Sequence, residues 1–597
     1  MCRIFGLVGT ARRRDELVSI GSQLCAALTH GGPDGDAVLA RDGVLLGSTR
    51  LAISDPDGGW QPFSAHGWTV VFNGEIYNVD ALRARLADQG RSLRTGCDGE
   101  LLPHLLAQHG PAATGMLDGM FAFAALHEPS GRLVLARDPM GIKPLFLFAD
   151  GPQLGFASEI GPLLRLRDQP VRIDLDSLER YFRMKAVFGA QRDDGALGDP
   201  TIAAGVLSLP PGGTLVWEAD RGARLVCEVG PTDAWDHAVD ATDLPTLFDD
   251  VVASMVPLDV DFGVMVSGGL DSGIVARLAA AHRRRPSPLQ AFTVAPAEHS
   301  AFDELPHARE VARYVDAHTH VVRVGAPDIV KRLPDVVAAL GQPNSDPISL
   351  STYLLFESVR EQGLPVILTG DGSDELFGGY DRLRALGATG DLAAYVDALA
   401  GVPGGWLDGM WRDDVRDEVR HARRPDALTP DTDGAPSRSR AGRLRRALEF
   451  EQRHRMPAYH LMRVDHLSAA HGVEARVPFC RPAVAALCAS LEPAQMFAGD
   501  RSKVALTVTA LRERWVPASI AARPKQPFTF RLSEQLSDDA TLSWVREVLT
   551  DPSSGPWFAP ERVEATVADF ETKRTEPLAH AVWALLVLVL WQTGVAA

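Results

Sequence analysis

The chain has 597 residues, 46% of them hydrophobic and 23% charged, and its 60 Lys and Arg against 77 Asp and Glu give a formal net charge of −17. That length exceeds what one core accommodates and predicts two to four domains, two large ones as the starting expectation, while the acidic balance argues against a general nucleic-acid binder, whose phosphate contacts need a basic surface. The six cysteines (Cys2, Cys25, Cys97, Cys227, Cys480 and Cys488) are scattered without CxxC or Cys/His ligand spacing, so a disulfide framework and a zinc site are not expected and a reducing cytoplasm fits.

The opening stretch, MCRIFGLVGTARRRDE, turns polar within ten residues and lacks the apolar run of an export signal. Short strand signals follow at 44–49, 68–74, 119–138 and 144–158, the third with a HEPSG hairpin turn. Helical patterns at 79–90 and 99–109 interrupt them, which predicts an α+β sandwich. From about 245 onward strands alternate with helices: FGVMVS, GIVARLAAAHRRR, LQAFTV, DELPHAREVARYV, HTHVVRV. That order predicts right-handed βαβ units and an α/β doubly wound parallel sheet. Past 385 the pattern is mostly helical, broken by a polar, Pro-rich stretch at 423–442 that reads as an exposed loop. The apolar run 581–591 is shorter than the roughly 20 residues a bilayer requires, so a buried C-terminal helix is expected and no membrane.

The chemistry concentrates in three places. After the apolar FGVMV comes SGGLDS (267–272). Glycines let the backbone approach an anion, the helix that follows offers free N–H groups, and hydroxyls add donors, which together suit phosphate. Asp271 beside phosphate requires a cation between them, implying Mg²⁺. A second apolar strand, PVILTG, runs into DGSDELFGGY (371–380), where Asp371, Asp374, Glu375 and the following Asp381 are more acid than a helix cap explains; Asp374 is expected to face Asp271. Third, Cys2 becomes the first residue if Met1 is removed, and an α-amine with a pKa of about 7.7–8.0 can then take the thiol proton.

SGGLDS lacks the Gly-Lys-Ser/Thr ending of a Walker loop and resembles the pyrophosphate-binding loop of the N-type ATP pyrophosphatases, which implies AMP as product. DGSDE resembles the second signature of the asparagine synthetases, some of which have glutamate where Asp371 stands. STRLAI (48–53), FNGEIYN (72–78), GCDGELL (96–102), RDPMGIKPLF (137–146) and FASEI (156–160) resemble the N-terminal-nucleophile glutaminase half of class II glutamine amidotransferases. The order of motifs is similar to that of the glutamine-hydrolysing asparagine synthetases over nearly the whole chain. The resemblance implies a glutaminase domain at 1–229, an N-terminal-nucleophile sandwich, and an ATP-dependent synthetase domain at 230–597.

It further implies Cys2 as nucleophile, Asn73 and Gly74 as oxyanion donors, and a glutamine pocket of Arg50, Leu51, Ile53, Asn73, Gly74, Glu75 and Asp98, with Arg50 on the α-carboxylate and Asp98 on the α-ammonium. For ATP and pyrophosphate it implies Val266, Ser267, Gly268, Gly269, Leu270, Asp271, Ser272, Thr293, Gly370, Asp371, Gly372 and Lys503, with Asp271 and Asp374 on Mg²⁺. Lys525 in RPKQPF and Asp371 are expected to serve the adenylation chemistry. Ammonia freed at Cys2 would cross a largely apolar passage to an acyl-adenylate, and family members are often dimers.

Three departures stand out. HGGPDGD (30–36) has Gly31 where the family usually has arginine, which removes a cation near the thiol, and Ser48 and Thr49 stand where a His-Arg type pair is common. GQPNSDP (341–347) has Gln342 in a turn where members that make asparagine often carry acids, so the acceptor is aspartate by family default or, alternatively, another carboxylic acid of secondary metabolism such as an antibiotic or polyketide precursor. A reading of another class is a non-catalytic paralogue that binds nucleotide or a partner.

Overall fold

The computed structural model describes residues 2–167, 169–230, 232, 243–298, 303–402, 405–426, 439–523, 531–551 and 555–596. Among them the strands up to Glu228 form a seven-stranded and a six-stranded antiparallel sheet. Cys2–Val8 pairs with Val44–Arg50, setting Cys2 opposite Arg50. Trp68–Ile76 pairs with Gly119–His127, setting Asn73 opposite Ala122 and Gly74 opposite Phe121. The predicted HEPSG hairpin joins Gly119–His127 to Arg132–Arg137.

The inner faces share one core, to which Ile4 and Leu46 contribute from one sheet and Val71, Ala122 and Leu135 from the other. Helix Arg14–Leu28 covers the outside of the first sheet, and Val79–Asp88 with Leu101–His109 covers the outside of the second. Strands covered on both faces lose polar alternation, which is why Gly119–His127 reads GMFAFAALH and is buried up to its last residue.

The second half is built on a five-stranded parallel sheet in the order Ala317–Val324, Leu289–Pro296, Phe262–Met265, Val366–Leu368, Glu474–Arg476. The direction of winding reverses between Phe262–Met265 and Val366–Leu368, and the crevice at such a switch point is where doubly wound sheets hold ligands. SGGLDS and DGSDE leave those two strands. The C-terminal helix Glu576–Ala596 is long and apolar enough to span a bilayer by length and composition, yet Ala581–Val589 is packed into the core of this half.

The expectation of an exposed loop at 423–442 needs correction at both ends. Arg423 and Arg424 pair with Glu179 (2.7 Å), Asp174 (2.8 Å) and Asp176 (3.2 Å), and Arg180 with Asp426, which fastens 423–426 to helix Leu175–Met184. Residues 440–442 begin the helix Arg440–Phe450, and 427–438 lie outside the described residues.

One buried carboxylate joins the halves. Asp465, on helix Met462–Ala469, receives Arg3 Nη1 at 2.8 Å and Lys143 Nζ at 3.1 Å, all three side chains being almost wholly removed from solvent. Burial opposes ionisation of Asp465, but Arg3 and Lys143 outweigh it and hold its carboxyl below the usual range. Asp465→Asn would leave two buried cations short of a counter-charge, a change that costs about 3–5 kcal/mol for a broken buried pair. We expect a lowered urea midpoint at pH 7. Because the folded pKa is depressed, the wild-type advantage is complete above an unfolded value of about 3.9 and disappears as pH falls through the lower folded value, so urea curves of the two proteins should converge in strong acid.

Candidate active site

Cys2 opens its strand, and its backbone nitrogen donates to Asn73 Oδ1 at 3.1 Å. The Leu51 N–H donates to the thiol, Gln61 Nε2 lies 3.5 Å from Sγ, and burial pushes the thiol pKa up. Asn73 is fully buried, and its Nδ2 has no hydrogen-bond partner among the described residues. Next to it the strands come so close that a Cβ on Gly74 would lie 2.0 Å from the Met120 carbonyl oxygen, so only glycine leaves this strand undistorted.

Around the thiol, Leu51 and Ile53 are buried. Arg50 donates to the Asp55 carbonyl (2.7 Å) and the Pro56 carbonyl (3.3 Å) while lying 4.8 Å over the Trp60 ring. Asp98 accepts from the N–H groups of Ile76 (2.7 Å) and Gly99 (2.9 Å), and burial pushes its carboxyl up. Glu75 accepts from Ser54 Oγ (3.0 Å) and faces Arg476 at 3.2 Å. Burial pushes Glu75 up to about 8; Arg476 opposes this, and Asp98 and Glu474 reinforce it. Arg476 also holds Glu474 at 2.8 Å, so one guanidinium serves two carboxyls, with Asp98 close by.

Gly31 does not leave a void. A Cβ there would lie 2.8 Å from Arg3 Cγ and 3.0 Å from its Nε, so the stem of Arg3 fills that space. The Arg3 guanidinium reaches Glu159 (2.8 Å), which His30 also contacts at 2.9 Å, and Asp465. A cation is therefore retained here, supplied from position 3 and aimed at the interface. Ser48 and Thr49 are buried, Thr49 Oγ1 donating to the Leu28 carbonyl at 3.2 Å.

At the switch point, Val266 continues its strand into the first loop. Gly268 has φ +76°, and a Cβ on it would lie 2.6 Å from the Ala308 nitrogen; its carbonyl accepts from Arg523 at 2.8 Å. Gly269 precedes the helix Leu270–His282, and Ser272 Oγ is 3.1 Å from both the nitrogen and the hydroxyl of Ser267. The two loops touch, since a Cβ on Gly370 would sit 2.9 Å from the Ser272 nitrogen, and Gly372, at φ +90°, leaves no room for one beside Cys480 Sγ. Ser373 Oγ donates to Asp271 at 2.8 Å.

Asp271 and Asp374 do converge, both on the ammonium of Lys503, at 2.6 and 2.5 Å. Two carboxylate oxygens on one positive charge are the hard donors that Mg²⁺ takes, so the pair fits such an ion if the ammonium moves aside. A cavity of ≈ 630 Å³ opens here, lined by Val266, Ser267, Asp271, Ser272, Thr293, Gly370, Asp371, Gly372 and Asp374 among others. A second, of ≈ 690 Å³, meets it at Ser267 and Asp271 and includes Gly269, Leu270 and Lys503. The Thr293 hydroxyl is buried with no partner among the described residues. Asp371 lies 3.9 Å from Arg463, and Lys525 falls outside the described residues.

The cavity also has walls that no motif announced. The segment Glu451–Leu461 winds as a π-helix, a widened form frequent at functional sites, and presents Arg455, Tyr459 and His460. His460 lies 3.0 Å from Glu375, which Tyr380 also contacts. In the 341–347 turn the cavity is lined by Asp346, paired with Arg463, while Gln342 turns away to Met462 Sδ at 3.3 Å and lines a separate small pocket. Only Tyr380, two glycines after the DGSDELF block, stood where a local pattern could have flagged it.

Comparison with known proteins matches these two halves. The glutamine amidotransferase domain model covers residues 1–224, and the asparagine synthase model covers 243–593. Asparagine synthetase 3 (glutamine-hydrolyzing) of Arabidopsis thaliana is 27% identical over 91% of this chain and 80% of its own. The protein of the same name from Bacillus subtilis is 27% identical over 88% and 87%, and asparagine synthetase B (glutamine-hydrolyzing) of Escherichia coli is 26% identical over 91% and 83%. A thiol-bearing sandwich joined to a switch-point nucleotide crevice defines an enzyme of the glutamine-dependent amide-ligase class. The chain belongs to the asparagine synthase family.

The raised Glu75 carboxyl has a measurable consequence. An unfolded glutamate ionises near pH 4.3, so a folded value of about 8 makes Glu75 cost stability progressively as pH rises between the two. Glu75→Gln removes that cost. Urea unfolding at pH 5 and pH 8 should show the variant gaining on wild type with rising pH, by an amount that levels off above pH 8.

Proposed function

We propose that the chain hydrolyses glutamine at Cys2, after removal of Met1, and uses the ammonia to amidate a carboxylic acid activated by ATP, with residues 1–229 and 230–597 as the two catalytic domains. The observation that carries this reading is Asn73. Its Oδ1 holds the Cys2 nitrogen while its Nδ2 is buried without a partner among the described residues, a donor that negative charge developing on an attacked amide carbonyl would satisfy.

The Gly74 N–H is the second donor, Arg50 receives the α-carboxylate of glutamine, and Asp98 with Glu75 receives the α-ammonium. The freed α-amine of Cys2 takes the thiol proton and returns it to the leaving ammonia, and water then hydrolyses the thioester to glutamate. Ammonia must travel as the neutral base, and apolar surroundings favour that form. Leu51, Ile53, Met120, Met140 and Ile142 belong to the same apolar cluster as Val266 and Val464, which line the nucleotide cavity.

In that cavity the 267–272 loop, Gly370, Asp371 and Gly372 receive ATP, and Thr293 offers its unpartnered hydroxyl. Asp271 and Asp374 would hold Mg²⁺, which when bound screens the phosphate charge. The acceptor carboxylate attacks the α-phosphate and pyrophosphate leaves, with Lys503 neutralising phosphate charge and Lys525 given the same duty by the family resemblance alone. Ammonia then displaces AMP. Aspartate is the acceptor by family default, and a different carboxylic acid is the alternative the cavity wall leaves to experiment.

The decisive experiment supplies amide-¹⁵N glutamine, ATP and an acid panel headed by L-aspartate, and follows products by mass spectrometry. Labelled amide appearing with AMP and pyrophosphate is expected; AMP without label transfer, or a mature protein that keeps Met1, overturns the reading, and no turnover of either cosubstrate favours a binding paralogue. Cys2→Ala should abolish glutamate release yet keep AMP formation with ammonium salts. Asn73→Ala should lower the glutaminase kcat by about 10²–10³-fold. Asp374→Asn should stop AMP formation with glutaminase intact.

A further inference from the structure

A third pocket, separate from the two sites above, lies on the seam between the halves. It holds ≈ 40 Å³ and is lined by Arg137, Thr201 and Ser208 from one half and by Gln342, His454 and Met462 from the other. Measured against the space one water occupies, that is room for about three non-hydrogen atoms.

Donors that the protein leaves short of acceptors converge on it. Gln342 is 4% exposed, and its Nε2 has no acceptor among the described residues except the Met462 thioether at 3.3 Å, a weak one. The His454 ring packs on Phe450 and makes no hydrogen bond among the described residues. Arg137 is buried, and its guanidinium donates only to neutral oxygens. Nε reaches the Lys143 carbonyl (2.8 Å), Nη1 reaches Ser208 Oγ (3.1 Å) and the Leu209 carbonyl (2.6 Å), and Nη2 reaches the Gly141 carbonyl (2.8 Å). One N–H on Nη2 is left over.

No carboxylate among the described residues forms an ion pair with Arg137, because the acids around it are engaged elsewhere. Asp138 accepts from the N–H groups of Phe121, Met140, Ile142 and Lys143. Asp465 holds Arg3 and Lys143, and Asp199, which also lines the pocket, lies 3.4 Å from Arg192. Charges buried in proteins are paired or bound to an ion of opposite sign. The surroundings of His454 carry the same excess: burial, followed by Arg192, Arg453 and Arg180, pushes its pKa down to about 4.

We infer that this pocket is the receptor for one compact monoanion, a halide or a carboxylate of formate size, which supplies the counter-charge that Arg137 lacks and accepts from Gln342 across the seam. The ion sits beside Met462, the first residue of the helix that carries Asp465, and so adds an exchangeable tie between the halves to the fixed one. Larger or doubly charged anions are excluded by the size of the pocket and by Asp199 in its wall. The inference stands apart from the amide-ligase reading and does not need it.

The test uses the full-length protein exchanged into sodium gluconate, whose anion is too large for the pocket. Replacing gluconate by chloride, bromide or formate at constant ionic strength should raise the thermal midpoint along a saturable curve, as a ligand of the folded state does. A crystal soaked in bromide should show an anomalous peak between Arg137 and Gln342. Gln342→Glu puts a fixed carboxylate in the pocket and should abolish the dependence, with its midpoint in gluconate no lower than that of wild type. Gln342→Met removes the donor and should weaken the fitted affinity about tenfold or more, the worth of one hydrogen bond to a charged group. Unchanged far-ultraviolet circular dichroism certifies the fold of both variants. Tighter binding of formate than of bromide identifies a carboxylate as the occupant, and the reverse identifies a halide. A midpoint that rises without saturation, a pocket that holds only water in the bromide crystal, or a dependence that Gln342→Glu leaves untouched overturns the inference.

Discussion

Asp465 is the point on which the relation between the two halves turns. Its carboxylate is buried between Arg3, the residue next to Cys2, and Lys143, and it offsets the cost of holding both cations in so dry a place, a duty that Glu159 shares at Arg3. The helix that carries Asp465 also carries Arg463 and Val464 into the wall of the nucleotide cavity, and it continues from the π-helical turns that present Tyr459 and His460. One helix thus touches the strand of the thiol on one side and the wall of the switch-point cavity on the other. Arg481 with Asp118 and Arg476 with Glu75 add two further ties, so the interface is organised by buried charge around a continuous apolar interior. Such an arrangement fixes geometry, because each ion has one place where it is compensated.

The same economy of charge marks both ends of the molecule as built for ions that come and go. In the thiol pocket Glu75 and Glu474 share a single Arg476, and the charges of Asp98 and Glu474 add to burial in raising Glu75, an excess of acid that a proton on Glu75 relieves. At the switch point the balance is the reverse of a void: Lys503 stands between Asp271 and Asp374 and keeps two carboxylates from repelling each other. A divalent ion arriving with nucleotide phosphates would take over that duty and free the lysine for the phosphates.

The features legible in the sequence were those encoded locally. The alternation of strands and helices from 245 onward gave the parallel sheet, HEPSG gave a hairpin, and SGGLDS and DGSDE gave the two loops that meet at the switch point, because glycines, hydroxyls and acids at strand ends are constrained by backbone geometry within a few residues. The far wall of the cavity was illegible for the opposite reason. Lys185, Asp346, Arg463 and Glu576 come from four distant segments, each lying in an ordinary helix or turn pattern, and only tertiary packing makes them neighbours. The same limit explains Gln342, whose place in a suggestive turn implied a role at the acceptor site, whereas its side chain packs on Met462 in another pocket and Asp346, four residues on, faces the cavity.

Gly31 shows how a departure from a family pattern is to be read in three dimensions. Taken alone, glycine in place of arginine removes a positive charge near the thiol. In the fold, the vacated volume belongs to the stem of Arg3, whose Cγ would lie 2.8 Å from any Cβ at position 31, so a side chain at position 31 would have to displace the stem of Arg3. The consequence is electrostatic as well as steric. An arginine rooted on the Cys2 strand reaches inward to Glu159 and, across to the other half of the chain, to Asp465, while Arg50 beside the thiol donates to the backbone carbonyls of Asp55 and Pro56. Gly31 and Arg3 are therefore one structural feature, and its effect is a charge that ties the strand of Cys2 to the helix of Asp465.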